Sequence, residues 1–285
     1  MTVGRAGTER NSVMQTPNER TSSWTTLATR VLAPNPGPMT LDGTNTYVLR
    51  AAGSAGVVVV DPGPSDPEHR ERILALGHVE LVLVTHHHRD HTESAASFDA
   101  PVRAADPALC VDALPLRHDD QFEAAGVRIR VVATPGHTAD SVCLLLPDDT
   151  AIDVPSAGGA GSMLTGDTIL GRGTTVLDGA GGGTLGDYLR TLRALIDVGP
   201  AILLPGHGDR GDDLSVVAGT YLTHREKRLT EVERAVARLV GAEPRHPVTV
   251  DAVTDLVYGD VPANVRGAAE ASVAVQLAYL DGREA

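Results

Sequence analysis

Apolar runs of four to eight residues, broken by glycine and proline turns, alternate with amphipathic stretches up to about residue 213. Residues 25–32 predict a first strand, ended by the stiff 34–38 segment, Pro-Asn-Pro-Gly-Pro. Residues 44–49 and 57–60 predict two strands joined by the 53–56 turn as a hairpin. Asp66 is a helix N-cap, with Pro67 at the first position, Glu68 in the first turn, and Ile73, Leu74 and Leu76 on the apolar side. Residues 79–84 form the next strand, and a short helix follows from near His91 to before Pro101. The period-two pattern of Val127, Ile129 and Val131 against Arg128 and Arg130 marks a half-exposed strand. Residues 142–146, 163–165 and 201–204 are further strands, and Leu185, Leu189, Leu192 and Ile196 share one face of a helix. Strands and helices in this mixed order predict two sheets with helices outside them.

Outside these runs the texture changes. Residues 1–23 are polar and aperiodic and read as a disordered leader, which places the main domain at 24–213. The glycine-rich pieces 156–162 and 179–183 read as flexible excursions. Residues 214–285 are purely helical, with stripes at Leu229, Val232, Val236 and Leu239; at Val250, Val253 and Val257; and at Val265, Ala269, Val273, Leu277 and Leu280. Three such helices bury their stripes against one another as a small module.

Composition narrows the function. With 42% hydrophobic but 3% aromatic residues, the core must be built from Val, Leu, Ile and Ala. A formal charge of −13 argues against a general polyanion binder, since phosphate affinity needs Lys and Arg. Basic residues between 225 and 245 are interleaved with Glu and read as a solvated helix face, and little chain follows the last helix for a β-wing, so DNA is not an expected partner. Cys110 and Cys143 are too few for a disulfide framework and read as buried thiols in a reducing compartment. No apolar run has transmembrane length and no signal-peptide core is present, so the expectation is a cytoplasmic protein with no membrane partner.

The chemistry concentrates at the end of the 79–84 strand, in His86-His87-His88-Arg89-Asp90-His91. Imidazole and carboxylate are the donors that hold zinc and similar ions. His137 and His207, each after Pro-Gly, and Asp167, after Gly166, also follow predicted strands. Convergence of those strand ends gathers seven donors, more than one catalytic ion needs, so two divalent ions are implied. His86, His88 and His137 take one ion, Asp90, His91 and His207 the other, and Asp167 bridges. Two cations about 3.5–4 Å apart share and acidify one water, which makes hydrolysis by a bridging hydroxide the natural reaction. Asp90 is placed to orient that hydroxide. Without a thiolate in the set, zinc is expected but manganese or iron would fit the same donors. His87, alternating with two ligands, points away from the ions. His69, His78, His118 and His246 read as surface residues.

The H-x-H-x-D-H motif, followed in order by Gly-His137, Gly-Asp167 and Gly-His207, resembles the metallo-β-lactamase superfamily over about residues 24–213. The resemblance implies an αββα four-layer sandwich, an α/β fold, with a dinuclear site at one edge. Residues 35–40, 43–47, 166–171 and the Tyr221-x-x-His224-Arg225 motif resemble the β-lactamase-like protein 2 group more narrowly. That likeness implies a winged-helix-like C-terminal domain at 214–285 and a phosphodiester substrate such as single-stranded RNA, as for a mitochondrial endoribonuclease of the group, which carries Trp where this chain has His87. Asn45 and Tyr47 bordering the pocket, and His224 and Arg225 as proton donor or anion contact, are the candidate substrate residues. A glyoxalase II-like thioesterase, acting on a small ester or thioester, is the nearest alternative. A mononuclear iron persulfide dioxygenase and a non-catalytic binding protein are the alternatives from other classes.

Overall fold

A computed structural model describes residues 20–152, 159–241 and 247–282. Two mixed sheets face each other. The first holds β1 (Thr21–Ser23), β2 (Ala28–Leu32), β3 (Asn45–Leu49), β4 (Gly56–Val60), β5 (His78–Leu83) and β6 (Val102–Arg103) in chain order. The second holds β7 (Gln121–Ala124), β8 (Val127–Ala133), β9 (Val142–Leu146), β10 (Ser162–Gly166) and β11 (Ile202–Pro205), also in chain order.

Helices α1 (Pro67–Leu74) and α3 (Leu185–Val198) lie on the outer faces, and the very short α2 (Arg89–Thr92) takes in the second half of the histidine motif. The chain closes with α4 (Leu214–Gly241), α5 (Val250–Tyr258) and α6 (Arg266–Leu280). The layer order is αββα, as expected. Among the described residues the segment from 214 onward contains helices and no strand, so it supplies a helical module without a wing.

The Val57–Val60 run shows how sequence sets the layers. Val58 and Val60 enter the core between the sheets with Leu49, Ile129, Leu144 and Leu164. Val57 and Val59 point the other way, into the core under α1 with Ile73 and Phe98. A strand buried on both faces has no polar alternation to show. Each buried Val or Leu contributes roughly 1.5–3 kcal/mol relative to exposure. In α1, Asp66 caps the first turn by accepting from His69 N at 2.7 Å, as its sequence position predicts.

Most strands in each sheet are antiparallel, but the last connections are parallel: α1 links β4 to β5, and α3 links β10 to β11. A parallel pair brings both strands' C-terminal ends to one edge. β8 runs antiparallel to β9 and β9 antiparallel to β10, so the end of β8 reaches that edge too.

Several expectations shift. Residues 1–19 of the expected leader lie outside the described residues, but Thr21–Ser23 form β1 against β2, because that edge offers unpaired backbone groups. The second half of the 156–162 excursion, from 159, is described, and Ser162 already belongs to β10. The 179–183 excursion is a set of packed turns, tied by Gly183 N to Asp178 O at 2.7 Å and Ala139 N to Gly181 O at 3.0 Å. The boundary at 213 divides less than expected: Leu214, Ala218 and Tyr221 of α4 pack in the same core as α3. Only beyond them do Val232, Ala235 and Leu239 join Val253 and Val273 in a separate core.

His69 is fully buried, not on the surface, because it shares the inner face of α1 with Ile73 four residues on. His78 and His118 are exposed as expected, and His246 lies outside the described residues. Cys143 is buried, and burial pushes its thiol up to about 11, whereas Cys110 is only partly covered.

Candidate metal centre

Five strand ends deliver the site. Asp61 follows β4, His86 to His91 follow β5, His137 follows β8, Asp167 follows β10 and His207 follows β11. The seven expected ligands come together in two groups. His86, His88, His137 and Asp167 form one, and Asp90, His91 and His207 the other.

The hydrogen bonds fix which nitrogen of each ring is free. Thr85 Oγ1 donates to Asp61 Oδ2 at 2.7 Å, so it must accept from His86 Nδ1 at 3.0 Å, which leaves His86 Nε2 as a lone pair. His137 Nδ1 donates to Val176 O at 2.6 Å, leaving its Nε2 free. His88 Nε2 donates to Asp178 Oδ2 at 3.2 Å, leaving Nδ1 free. Those three free nitrogens face one another, with His88 Nδ1 standing 3.1 Å from His86 Nε2 and 3.1 Å from His137 Nε2.

The second group repeats the device. His91 Nδ1 donates to Asp61 Oδ2 at 2.8 Å and His207 Nδ1 to Gly43 O at 3.1 Å, and their Nε2 atoms stand 3.3 Å apart. Asp90 Oδ2 lies 3.1 Å from His207 Nε2. Asp167 joins the groups: Oδ2 is 3.8 Å from His137 Nε2 while Oδ1, buried and without a hydrogen-bond partner, is 3.3 Å from His207 Nε2.

Acceptor facing acceptor is repulsive unless a cation or proton lies between. The residues therefore fit two metal ions, one in each group, with Asp167 able to serve both. Glycine makes the approach possible, since a Cβ on Gly206 would meet Asp167 Oδ1 at 2.8 Å and His91 Cε1 at 2.9 Å.

Charge follows the same plan. Burial holds His86 well below the usual imidazole range, with the neighbouring His91 adding to it. Burial also opposes the charged forms of Asp167 and His207. The His207 and His91 rings nevertheless hold the Asp167 carboxyl well below the usual carboxylate range. Asp167 and Asp90 in turn push His207 up to about 9. A proton and a metal ion compete for the same ring nitrogens, and the carboxylates favour either cation.

The remaining expected residues lie elsewhere. Asn45 and Tyr47 do not border the site: both are buried, Asn45 Nδ2 donates to Pro205 O at 2.9 Å and Gly208 O at 2.8 Å, and Tyr47 Oη donates to Pro205 O at 2.8 Å. They brace the turn that carries His207. Arg225 is buried and donates to Thr175 O, so no anion contact is open to it, and His224 is half-buried beside it on α4. His87 turns from both groups, its Nδ1 2.7 Å from Asp140 Oδ1, and Arg89 is exposed and paired with Glu93.

Sequence reasoning missed Asp61, Thr85, Asp140 and Asp178. Asp61 alone left a signal, as a carboxylate at the end of an all-Val strand, held at φ 50°.

The metallo-beta-lactamase superfamily pattern matches residues 39–105. The chain belongs to that superfamily. It is 33% identical to the beta-lactamase-like protein 2 homolog of Caenorhabditis elegans, over 88% of this chain and 83% of that protein. It is 30% identical to the protein of the same name from Drosophila melanogaster, over 90% and 88%. Among solved structures, a beta-lactamase domain protein from Burkholderia ambifaria shares the fold, with a TM-score of 0.70 at 20% identity over 95% of this chain and 91% of that one.

Proposed function

We propose that the chain is a dinuclear metal-dependent hydrolase acting on an ester or thioester with an apolar acyl group. The observation that carries the reading is the pair of lone-pair clusters sharing Asp167. Two bound divalent ions, zinc being the expected metal, supply a water of lowered pKa and an electrophile for the bond under attack. Asp90, whose side chain keeps 29% exposure beside His207, would help hold the second ion and orient the water.

The substrate class rests on the cleft beside the first group. A cavity of about 530 Å³ opens against His88 and His137, and its other walls are Met39, Val176, Leu177, Ala271, Ala274 and Val275 with Asp178 as the one acidic side chain. Among the described residues no Lys or Arg lines it. An apolar wall suits an acyl group, and beyond the metal centre a phosphodiester chain would find no Lys or Arg there to neutralise its charge. Single-stranded RNA remains the second reading, carried by the likeness to the β-lactamase-like protein 2 group.

Metal counting joined to a turnover panel tests both. The expected result is two ions per chain and hydrolysis of apolar acyl thioesters that is abolished in His88→Ala and Asp90→Ala. Cleavage of single-stranded RNA with no acyl turnover would replace the first reading by the second. A single iron per chain would favour a persulfide dioxygenase, and retained hydrolysis in either variant would remove the site itself.

A further inference from the structure

The residues that orient His91 and His207 and those that orient His88 and His137 come from different parts of the chain. His91 and His207 are held by Asp61, after β4, and by Gly43, before β3. In the first group His86 is set by Thr85, but His88 and His137 both depend on one irregular segment between β10 and α3. Val176 O accepts from His137 Nδ1, Asp178 Oδ2 accepts from His88 Nε2, and Asp178 N donates to His137 O at 2.8 Å. No helix or strand stiffens residues 175–178, so their position must be imposed from outside.

Turn hydrogen bonds and the buried Leu177 hold the segment's C-terminal half, and α4 holds its start. Arg225 donates through Nη2 to Thr175 O, the carbonyl next to the one that orients His137, and its Cζ lies 5.1 Å from the ring centre of Tyr188 on α3. One turn earlier on the same face, Tyr221 Oη accepts from Leu170 N at 3.1 Å. The two side chains grip the stretch between Asp167 and Asp178 at two points, Leu170 and Thr175.

Arg225 makes this grip at a cost. It is 6% exposed, its Nε has no hydrogen-bond partner, and among the described residues no carboxylate pairs with it. Burying a charge without a counter-ion is expensive, and an apolar residue of similar length would fill the same space at less cost. Packing alone does not account for a guanidinium here, whereas placement of the Thr175 carbonyl does.

We infer that Arg225 is a positioning residue for the first metal group: through Thr175 it fixes the strap whose Val176 carbonyl and Asp178 carboxylate set the rings of His137 and His88. The inference rests on the dinuclear reading. Through Arg225 it makes the helical module a working part of the half that holds His88 and His137, while the contacts of Arg225, to Thr175 and Tyr188, do not reach His91 or His207.

Zinc titration of the purified metal-free chain against a competing chelator separates the two ideas. Wild type binding two ions supports the dinuclear reading, and fewer than two overturns it before any variant is made. In Arg225→Met one of the two affinities is expected to fall 10–100-fold, the usual effect of losing a residue behind a ligand, while the other changes by less than about twofold. His137→Ala identifies the weakened site, and adding Arg225→Met to it should then change nothing further. Arg225→Lys, which keeps a donor within reach of Thr175 O, recovers part of the loss and also serves if the methionine variant does not fold. Equal weakening of both sites, or two affinities unchanged in both variants, overturns the inference.

Discussion

Asp61 accepts from Thr85 N at 2.8 Å, Thr85 Oγ1 at 2.7 Å and His91 Nδ1 at 2.8 Å, so one buried carboxylate sets the tautomers of His86 and His91 together. Its carbonyl is held as well, by Thr46 Oγ1 at 2.7 Å, and Thr46 Oγ1 in turn lies 2.9 Å from His69 Nε2. The His69 ring is thus a buried donor behind the site. Burial, with nearby Arg72, lowers its pKa from 6.5 to about 4. In the unfolded chain the same ring takes up a proton below about pH 6.5. Between the two values the unfolded state binds more protons, so stability contributed by neutral His69 falls as pH drops from about 6.5 to about 4, by up to about 3 kcal/mol. Denaturant midpoints followed across that window should fall more steeply for wild type than for His69→Gln. Parallel curves would assign the acid sensitivity to other groups.

At the scale of elements, the site exists because two helices reverse the local habit of two mainly antiparallel sheets. By carrying the chain from β4 to β5 and from β10 to β11 in parallel, α1 and α3 put four strand ends at the same edge. The turn after β8 then has to fit beneath α3. Gly136 sits there at φ 142°, and a Cβ would lie 2.5 Å from the Tyr188 backbone and 2.6 Å from its side chain. Gly136→Ala is therefore expected to lose more than about 1 kcal/mol of stability, since both the dihedral and the contact oppose it. It should also weaken zinc binding, because His137 is the next residue. Thermal unfolding of the metal-free and zinc-loaded variant checks both, and a wild-type response to zinc would show that the turn absorbs the methyl group.

At the scale of the molecule, the helical module closes the cleft. α6 places Ala271, Ala274 and Val275 across from His88 and His137, and Val275 also packs in the core beneath α3 and α4. Small side chains on α6 leave the room, so filling it should act on substrate and not on metal. Ala274→Trp is expected to raise KM for apolar acyl thioesters about tenfold, ~1.4 kcal/mol, while the metal content stays at the wild-type value. An unchanged KM would mean that the acyl group lies elsewhere. Among the described residues no helix is long and apolar enough to cross a membrane.

The layered architecture and the seven His and Asp donors that converge at one sheet edge were legible from the sequence alone. Apolar periodicity is local, and metal donors after strand ends are few and chemically distinctive. Apart from Asp61, which follows the valine run, the hydrogen-bond partners behind those residues were not legible, because Thr85 and Asp178 are ordinary residues until folding aims them at an imidazole. His69 was half legible, since its spacing from Ile73 puts it on the inner face of α1 even though histidine is usually exposed. Asn45, Tyr47 and Arg225 carried motif value without direction: the same residues can face a substrate or support a turn, and only the packing of β3 under β11 and of α4 against residues 175–178 decided for support. The apolar cleft belongs to the tertiary structure alone, because its apolar walls come from residues 39, 176–180, 271, 274 and 275, which no pattern along the chain connects.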